Sequence, residues 1–146
     1  MEKKIEIYTD GSCIGNPGPG GWGVIILKNG KKINISGGEP DTTNNRMEMT
    51  AIVNALKWLR VSSGLSHEEL VNYKILIHSD SNLLIQTLNN GWKKKANTDL
   101  WAEIDKLRAW LDIDWKWVKA HATNKYNNMV DALALAEAKK QKTSQA

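Results

Sequence analysis

Polar and apolar positions alternate from Lys4 to Tyr8, with Ile5 and Ile7 on one side, and this pattern predicts a β-strand. The run stops at Thr9-Asp10-Gly11-Ser12, which reads as a carboxylate on the last strand position followed by a glycine turn. Gly15 to Gly23 predicts a tight loop whose backbone can come close to a ligand. That loop lacks the Lys-Ser or Lys-Thr of a P-loop and does not match Gly-x-Gly-x-x-Gly opening a helix. Trp22 to Lys28 and Lys31 to Gly37 flank Asn29-Gly30, a hairpin signal, so three antiparallel strands in a meander are expected.

Gly38 to Thr43 is expected to be a loop, and Thr42-Thr43-Asn44-Asn45 offers several N-caps. Ile52, Ala55, Leu56 and Leu59 share one face of a helix predicted to reach about Arg60. Glu48 falls on that apolar stripe near the helix start, where acids are uncommon. Val61 to Tyr73 is polar, with a short helical turn at His67 to Leu70. Lys74 to Asp80 is a second strand ending in an acid, and a helix over Ser81 to Leu88 follows. Asp80 thus repeats the logic of Asp10: in an open α/β sheet, chemistry collects beyond the carboxyl ends of the strands.

Asn89 to Asn97 reads as a compact basic loop carrying Trp92, Lys93, Lys94 and Lys95. Leu100, Ile104, Leu107 and Leu111 mark an amphipathic helix capped near Asn97-Thr98-Asp99. Ile113 to Lys119 alternates as a strand and enters a polar loop containing His121. The last helix is expected from Asn127 to about Lys139, with Ala134, Leu135 and Ala138 packing and Asp131 on the same inward side. One domain over residues 1–140 with a disordered tail over 141–146 fits this pattern, and there is no internal repeat.

Composition narrows the class. The chain has 146 residues, enough for one sizeable core, and its 41% hydrophobic and 25% charged content is that of a soluble globular protein. No apolar run approaches the roughly 20 residues of a membrane span, and the N-terminus has no signal-peptide core. Cys13 is the single cysteine, which excludes an internal disulfide and a cysteine-based zinc site. A cytoplasmic location and a monomer are the default expectations. The net charge of +4 suits a polyanionic partner without requiring one. Seven tryptophans with no phenylalanine make indole the main aromatic packing group.

Position singles out Asp10, Glu48, Asp80 and Asp131. Two end strands and two lie on inward helix faces near helix starts, so a mixed sheet covered by helices can gather them at one end. Four clustered carboxylates repel one another unless cations neutralise them. Hard oxygen ligands without cysteine suit magnesium or manganese rather than zinc. Two such ions about 4 Å apart can activate water and stabilise the leaving oxygen of an in-line phosphoryl displacement. His121, on a polar loop, is a candidate proton carrier.

Four segments in order resemble type 1 ribonuclease H. They are Tyr8-Thr9-Asp10-Gly11-Ser12-Cys13 with Gly15-Asn16-Pro17-Gly18, then Thr42-Thr43-Asn44-Asn45-Arg46-Met47-Glu48, then Ser79-Asp80-Ser81, and Trp117-Val118-Lys119-Ala120-His121-Ala122 followed by Asp131. The resemblance implies an α/β fold with a five-stranded mixed sheet, three strands antiparallel and then two parallel, and helices on both faces. It implies cleavage of the RNA strand of RNA–DNA hybrids with two magnesium ions, manganese being a substitute, leaving 5′-phosphate and 3′-hydroxyl ends. Asp10, Glu48, Asp80 and Asp131 would be the metal-binding catalytic carboxylates, and His121 would assist proton transfer or product departure. Ser12, Cys13, Asn16, Asn44, Asn45 and Asn82 match positions that read the RNA strand, partly through the 2′-hydroxyl that distinguishes RNA from DNA. Thr43 and Asn97 match residues that hold a phosphate of the DNA strand. Trp92 would pack on its sugars, and Lys93 to Lys95 would attract phosphates without regard to sequence.

Several positions depart from the family pattern. Only Asn89 to Asn97 stands where many bacterial members have a long basic protrusion, which bears on the strength of hybrid binding. Asp41 stands where an arginine often helps hold the DNA phosphate, Asn82 replaces a common glutamine, and Ala120 a common glycine. Val61 to Tyr73 is longer than expected, and processive action is not expected without a separate hybrid-binding domain. Two other readings stay open: a catalytically silent hybrid-binding module, and a related nuclease of the same fold with another substrate.

Overall fold

In a computed structural model, residues 3–91, 94, 96–120 and 122–144 are described. Five strands form one sheet: β1 (Lys4–Cys13), β2 (Gly18–Lys28), β3 (Lys31–Thr42), β4 (Lys74–Ser79) and β5 (Ile113–Trp117). Their order across the sheet is β3-β2-β1-β4-β5, with β1, β2 and β3 antiparallel and β4 and β5 parallel to β1. The mixed sheet expected from the resemblance is therefore present. The Asn29-Gly30 turn joins β2 to β3 with both residues at positive φ, 51° and 77°, the conformation a two-residue hairpin turn of this kind requires.

Period-two alternation assigns the two faces of β1. Ile5 and Ile7 are buried with Val24 and Ile26 of β2 beneath α1 (Asn44–Lys57), whose Ile52, Ala55 and Leu56 complete that core. Tyr8 and Ile25 lie on the opposite face against Val130 of α5 (Lys125–Ser144). The remaining helices are α2 (His67–Leu70), α3 (Asn82–Asn90) and α4 (Thr98–Arg108), and α1 runs on into a π-helical turn over Trp58–Ser62. Capping residues sit where the sequence offers them. Thr43 Oγ1 accepts from the Arg46 N–H, Ser81 Oγ accepts from the Leu84 N–H, and Ser66 and Glu69 form a capping box on α2.

Several boundaries differ from the sequence pattern, those of the first three strands for a reason in the pairing. β1 does not stop at Thr9; its ladder with β2 continues through Asp10↔Gly23 to Cys13↔Gly20. β2 starts at Gly18, so the loop expected over Gly15 to Gly23 shrinks to residues 14–17. β3 continues through the expected Gly38–Thr43 loop because Gly38, Glu39 and Thr42 pair with β2. α5 stays helical to Ser144, past the end expected near Lys139.

The glycines of β2 have a structural use the sequence did not announce. A Cβ added at Gly21 would strike the Ala134 carbonyl and come within 2.6 Å of the Glu137 Cβ, so the bare backbone lets α5 lie directly on β2. The close approach expected for a ligand is taken up by a helix, and that helix carries Asp131.

Candidate active site

Asp10 lies where the two edges of β1 part company. Towards β2 the strand stays paired to Cys13, but towards β4 its parallel ladder ends at Tyr8↔His78. From Thr9 onward β1 therefore borders a crevice, which is where an open sheet places its chemistry. β4 ends at Ser79 and delivers Asp80 to the same place. Two contacts hold that corner: the Val118 N–H donates to the Ser79 carbonyl at 3.0 Å, and Trp117 Nε1 donates to the Asp80 carbonyl at 3.2 Å.

Glu48 arrives from the other face because α1 begins hard against β1. A Cβ on Gly11 would collide with the Glu48 nitrogen and the Met47 carbonyl carbon, so no other residue lets the helix start come this close. Carboxylate oxygens of Asp10, Glu48 and Asp80 consequently lie within 4.8 Å of one another. Asp131 is outside that set of three, yet it stands close enough to Asp10 to add to the rise of the Asp10 pKa.

The electrostatics follow from this packing. Asp10 is 2% exposed; burial, and after it the charge of Glu48, pushes its carboxyl far above the usual carboxylate range. Burial likewise raises Glu48, against the partial relief of a hydrogen bond with Asp10. Asp10 Oδ1 accepts the Gly11 N–H at 2.9 Å, but Asp10 Oδ2 and Glu48 Oε2 are both buried without a donor. Orphaned buried oxygens are rare because each costs about 1–3 kcal/mol or more. A hard divalent cation satisfies them together, and three to four carboxylates at this spacing fit one. Asp10, Glu48 and Asp80 are the residues placed to hold it, with Asp131 beside them.

Around the cluster, the other expected site residues divide into those held in defined contacts and those outside the described residues. Cys13 Sγ lies 3.0 Å from the Gly15 carbonyl and 3.3 and 3.4 Å from those of Gly18 and Thr42. Burial raises its pKa, so it remains a thiol. Asn16 Oδ1 accepts the Asn44 N–H at 3.0 Å, which ties the β1–β2 loop to the start of α1. Ser12 stays in the β1–β2 ladder opposite Gly21, Asn45 is in the first turn of α1, and Asn82 opens α3 with Oδ1 accepting from Gln86 Nε2 at 3.5 Å. Lys94 is ion-paired with Asp105 at 2.8 Å, and its Nζ is 5.3 Å from the centre of the Trp101 ring. Trp92, Lys93, Lys95 and His121 lie outside the described residues.

One participant was not singled out from the sequence. Arg46 Nη1 donates to Asn97 Oδ1 and to Asp99 Oδ1, both at 3.1 Å, and Nη2 to Asp99 Oδ2 at 2.8 Å. These partners are 51 and 53 residues away, a pairing that no local pattern announces. Asn97 itself adopts a left-handed backbone, φ 55° and ψ 41°, just before α4.

The sheet order and the acid cluster define an α/β protein with a carboxylate cluster, able to hold a cation, at the open edge of its middle strand. Comparison with known proteins narrows this further. The RNase H family model matches residues 2–139. The chain is 44% identical over 143 residues to a ribonuclease H of Ehrlichia canis (strain Jake), covering 94% of this chain and 96% of that protein. It is also 44% identical over 149 residues to a ribonuclease HI of Caulobacter vibrioides, covering 92% of each. LC11-RNase H1, solved in complex with an RNA/DNA hybrid, superposes with a TM-score of 0.79 at 28% identity over 93% of this chain and 97% of that one. The N-terminal RNase H domain of a Mycobacterium tuberculosis protein shares the fold, with a TM-score of 0.83 at 23% identity over 99% of this chain and all of that one. The chain belongs to the RNase H family.

Proposed function

We propose that this protein is an endonuclease that hydrolyses the RNA strand of RNA–DNA hybrids, leaving 5′-phosphate and 3′-hydroxyl ends. The observation that carries this reading is the convergence of Asp10, Glu48 and Asp80 with two buried, donor-less oxygens at the open edge of β1. The names of its relatives and the hybrid bound to LC11-RNase H1 agree with it. Asp10, Glu48, Asp80 and Asp131 form the cation-holding set, with two magnesium ions as the working metal and manganese as a substitute. When bound, the ions supply an activated water on one side of the scissile phosphate and neutralise charge on the leaving oxygen on the other.

The protein's own residues do the rest. The carboxylates fix the attacking side by rigid attachment to β1, the end of β4 and the starts of α1 and α5. His121, which follows β5 in the sequence, moves the proton or assists product departure. Ser12, Cys13, Asn16, Asn44, Asn45 and Asn82 face the RNA strand. Because Asn16 spends its carbonyl oxygen on Asn44, its amide nitrogen is the group offered to a hydroxyl acceptor. Thr43 and Asn97 hold a phosphate of the DNA strand, while Trp92, Lys93 and Lys94 support that strand. The working form is a cytoplasmic monomer; among the described residues no helix is long and apolar enough to cross a membrane.

The test uses an RNA–DNA hybrid beside matched RNA–RNA and DNA–DNA duplexes, labelled on both strands, with and without magnesium. Metal-dependent cutting of RNA in the hybrid alone is expected. Tight hybrid binding without cutting in either metal would instead make this a silent binding module.

A further inference from the structure

A guanidinium has five donors and no acceptor. The Asn97 side-chain atom facing Arg46 Nη1 at 3.1 Å is therefore the carbonyl oxygen, whatever ambiguity ordinarily attends an amide flip. The Asn97 NH2 group is turned the other way. The backbone N–H of the same residue, Arg46, donates to Thr43 Oγ1 at 3.2 Å. With that oxygen already accepting, the Thr43 hydroxyl keeps its hydrogen for a partner away from the helix. A single residue thus occupies an acceptor on each of two side chains and leaves both presenting donors.

The geometry points to Arg46 as the positioning residue of the DNA-strand phosphate pocket: we propose that it sets Thr43 and Asn97 as paired donors toward one phosphate. The inference rests on the hybrid-cleaving reading above and deepens it. Arg46 acts through its neighbours rather than by contact, since its fork is closed on the Asp99 carboxylate at 3.1 and 2.8 Å. The fork also fixes the left-handed Asn97 at the entrance to α4, so the direction of the amide is set by both side chain and backbone. Lysine cannot replace it, because an ammonium is a point charge and does not span Asn97 and Asp99 in one plane.

The test measures binding in an Asp10→Asn background, where cleavage is silent, using full-length protein and a set of hybrids. Each hybrid carries one neutral methylphosphonate, moved linkage by linkage along the DNA strand. With Arg46 intact, one linkage is expected to cost about tenfold in Kd, the loss of charge-assisted hydrogen bonds to a phosphate. With Arg46→Gln, the all-phosphate hybrid weakens by a similar factor and the penalty at that linkage falls below about twofold, the other linkages being unchanged. Asn97→Asp, which keeps an oxygen for Arg46 but offers the phosphate only acceptors, is expected to erase the same penalty. Arg46→Lys is expected to restore thermal stability without restoring the penalty. A full penalty in Arg46→Gln, accompanied only by a lower Tm, would overturn the proposal and leave Arg46 as a tie between α1 and α4. Hybrid binding with no sensitive DNA-strand linkage would also overturn it while the hybrid reading stands. No preference for hybrid over duplex DNA would remove that reading itself.

Discussion

Arg46 and Glu48 are two positions apart on α1, about 200° around the helix, and the surroundings of the two are opposites. At Asp10 and Glu48, one buried oxygen of each carboxyl, Oδ2 and Oε2, has no hydrogen-bond partner. At Arg46, the acceptors of Thr43, Asn97 and Asp99 are all engaged, and donors are what remain. The first arrangement suits cations, and under the proposal above the second suits an anionic phosphate. One helix start would then serve both demands of a nucleic-acid substrate that must be gripped on one strand and cut on the other. The contrast also separates cost from benefit: the acid cluster strains the cation-free fold, whereas the Arg46 pocket holds together with no ligand at all.

The largest expected effect breaks the first half of that contrast. Asp10→Asn should lower hybrid cleavage at least about a thousandfold, since it removes the most buried member of the cation-holding set. The same change should raise the Tm of the cation-free protein near neutral pH, because it removes the carboxyl that must take up a proton in order to be buried beside Glu48. A gain of about 1–3 kcal/mol, or several degrees for a domain of this size, is the expected scale. Gel assays of labelled hybrid and calorimetry in chelator read the two effects. Retained activity would detach Asp10 from the chemistry.

Gly11→Ala tests how Glu48 is brought in. Its Cβ would meet the α1 backbone at Met47 and Glu48, so the helix start must shift. A loss of about 2–3 kcal/mol in urea unfolding is expected from forcing packed backbone apart. Stabilisation by magnesium should shrink with it, because the shift separates Glu48 from Asp10. Undiminished magnesium stabilisation would mean that the close start of α1 is not what assembles the cluster.

A third measurement follows stability against pH without divalent cations. Asp10 and Glu48 hold protons to higher pH in the folded chain than in the unfolded one, where they ionise near 4. Their contribution is therefore complete below about pH 4 and is lost as pH climbs through neutrality toward the raised folded values. Magnesium at a hundredfold excess over its Kd should return about 2–3 kcal/mol near pH 8 and flatten the slope. A stability curve that magnesium leaves unchanged would show that the cluster does not bind it.

Asp10 and Asp80 were legible because an apolar strand led into each of them and because an open α/β sheet collects its chemistry beyond the carboxyl ends of its strands. Glu48 was legible because it broke an apolar stripe. The sheet could be drawn from Asn29-Gly30 and from the two later strands. What misled was glycine: Gly11 read as a turn and Gly20-Gly21 as a ligand loop, whereas both are strand positions that admit a helix at close range. A missing Cβ has the same letter in either use, and only the packed helices decide between them. Arg46 stayed hidden for a related reason, since its partners come from a segment some fifty residues away and its donors are counted only once both helices are in place.

The smallest effect concerns the satisfied half of the contrast. Asp99 is solvent-exposed, and its hydrogen bonds with Arg46 hold its carboxyl below the usual range, at about 2. A lowered acid pKa supports folding above the unfolded value near 4 and loses that support as pH falls through about 2, so the fork is fully formed at neutral pH. Exposure keeps its thermal contribution small. Asp99→Asn should therefore cost only about 1–2 °C in Tm while weakening hybrid binding about two- to threefold. Titration of the Asp99 carboxyl by NMR sharpens the point: the midpoint near 2 should return to the ordinary range in Arg46→Gln. If it stays low there, helix α4 rather than Arg46 depresses it, since Asp99 lies in the first turn of α4 and is bonded to backbone as well. Asn97 would then take its orientation from the start of α4, and the donor pocket would not depend on the helix that carries Glu48.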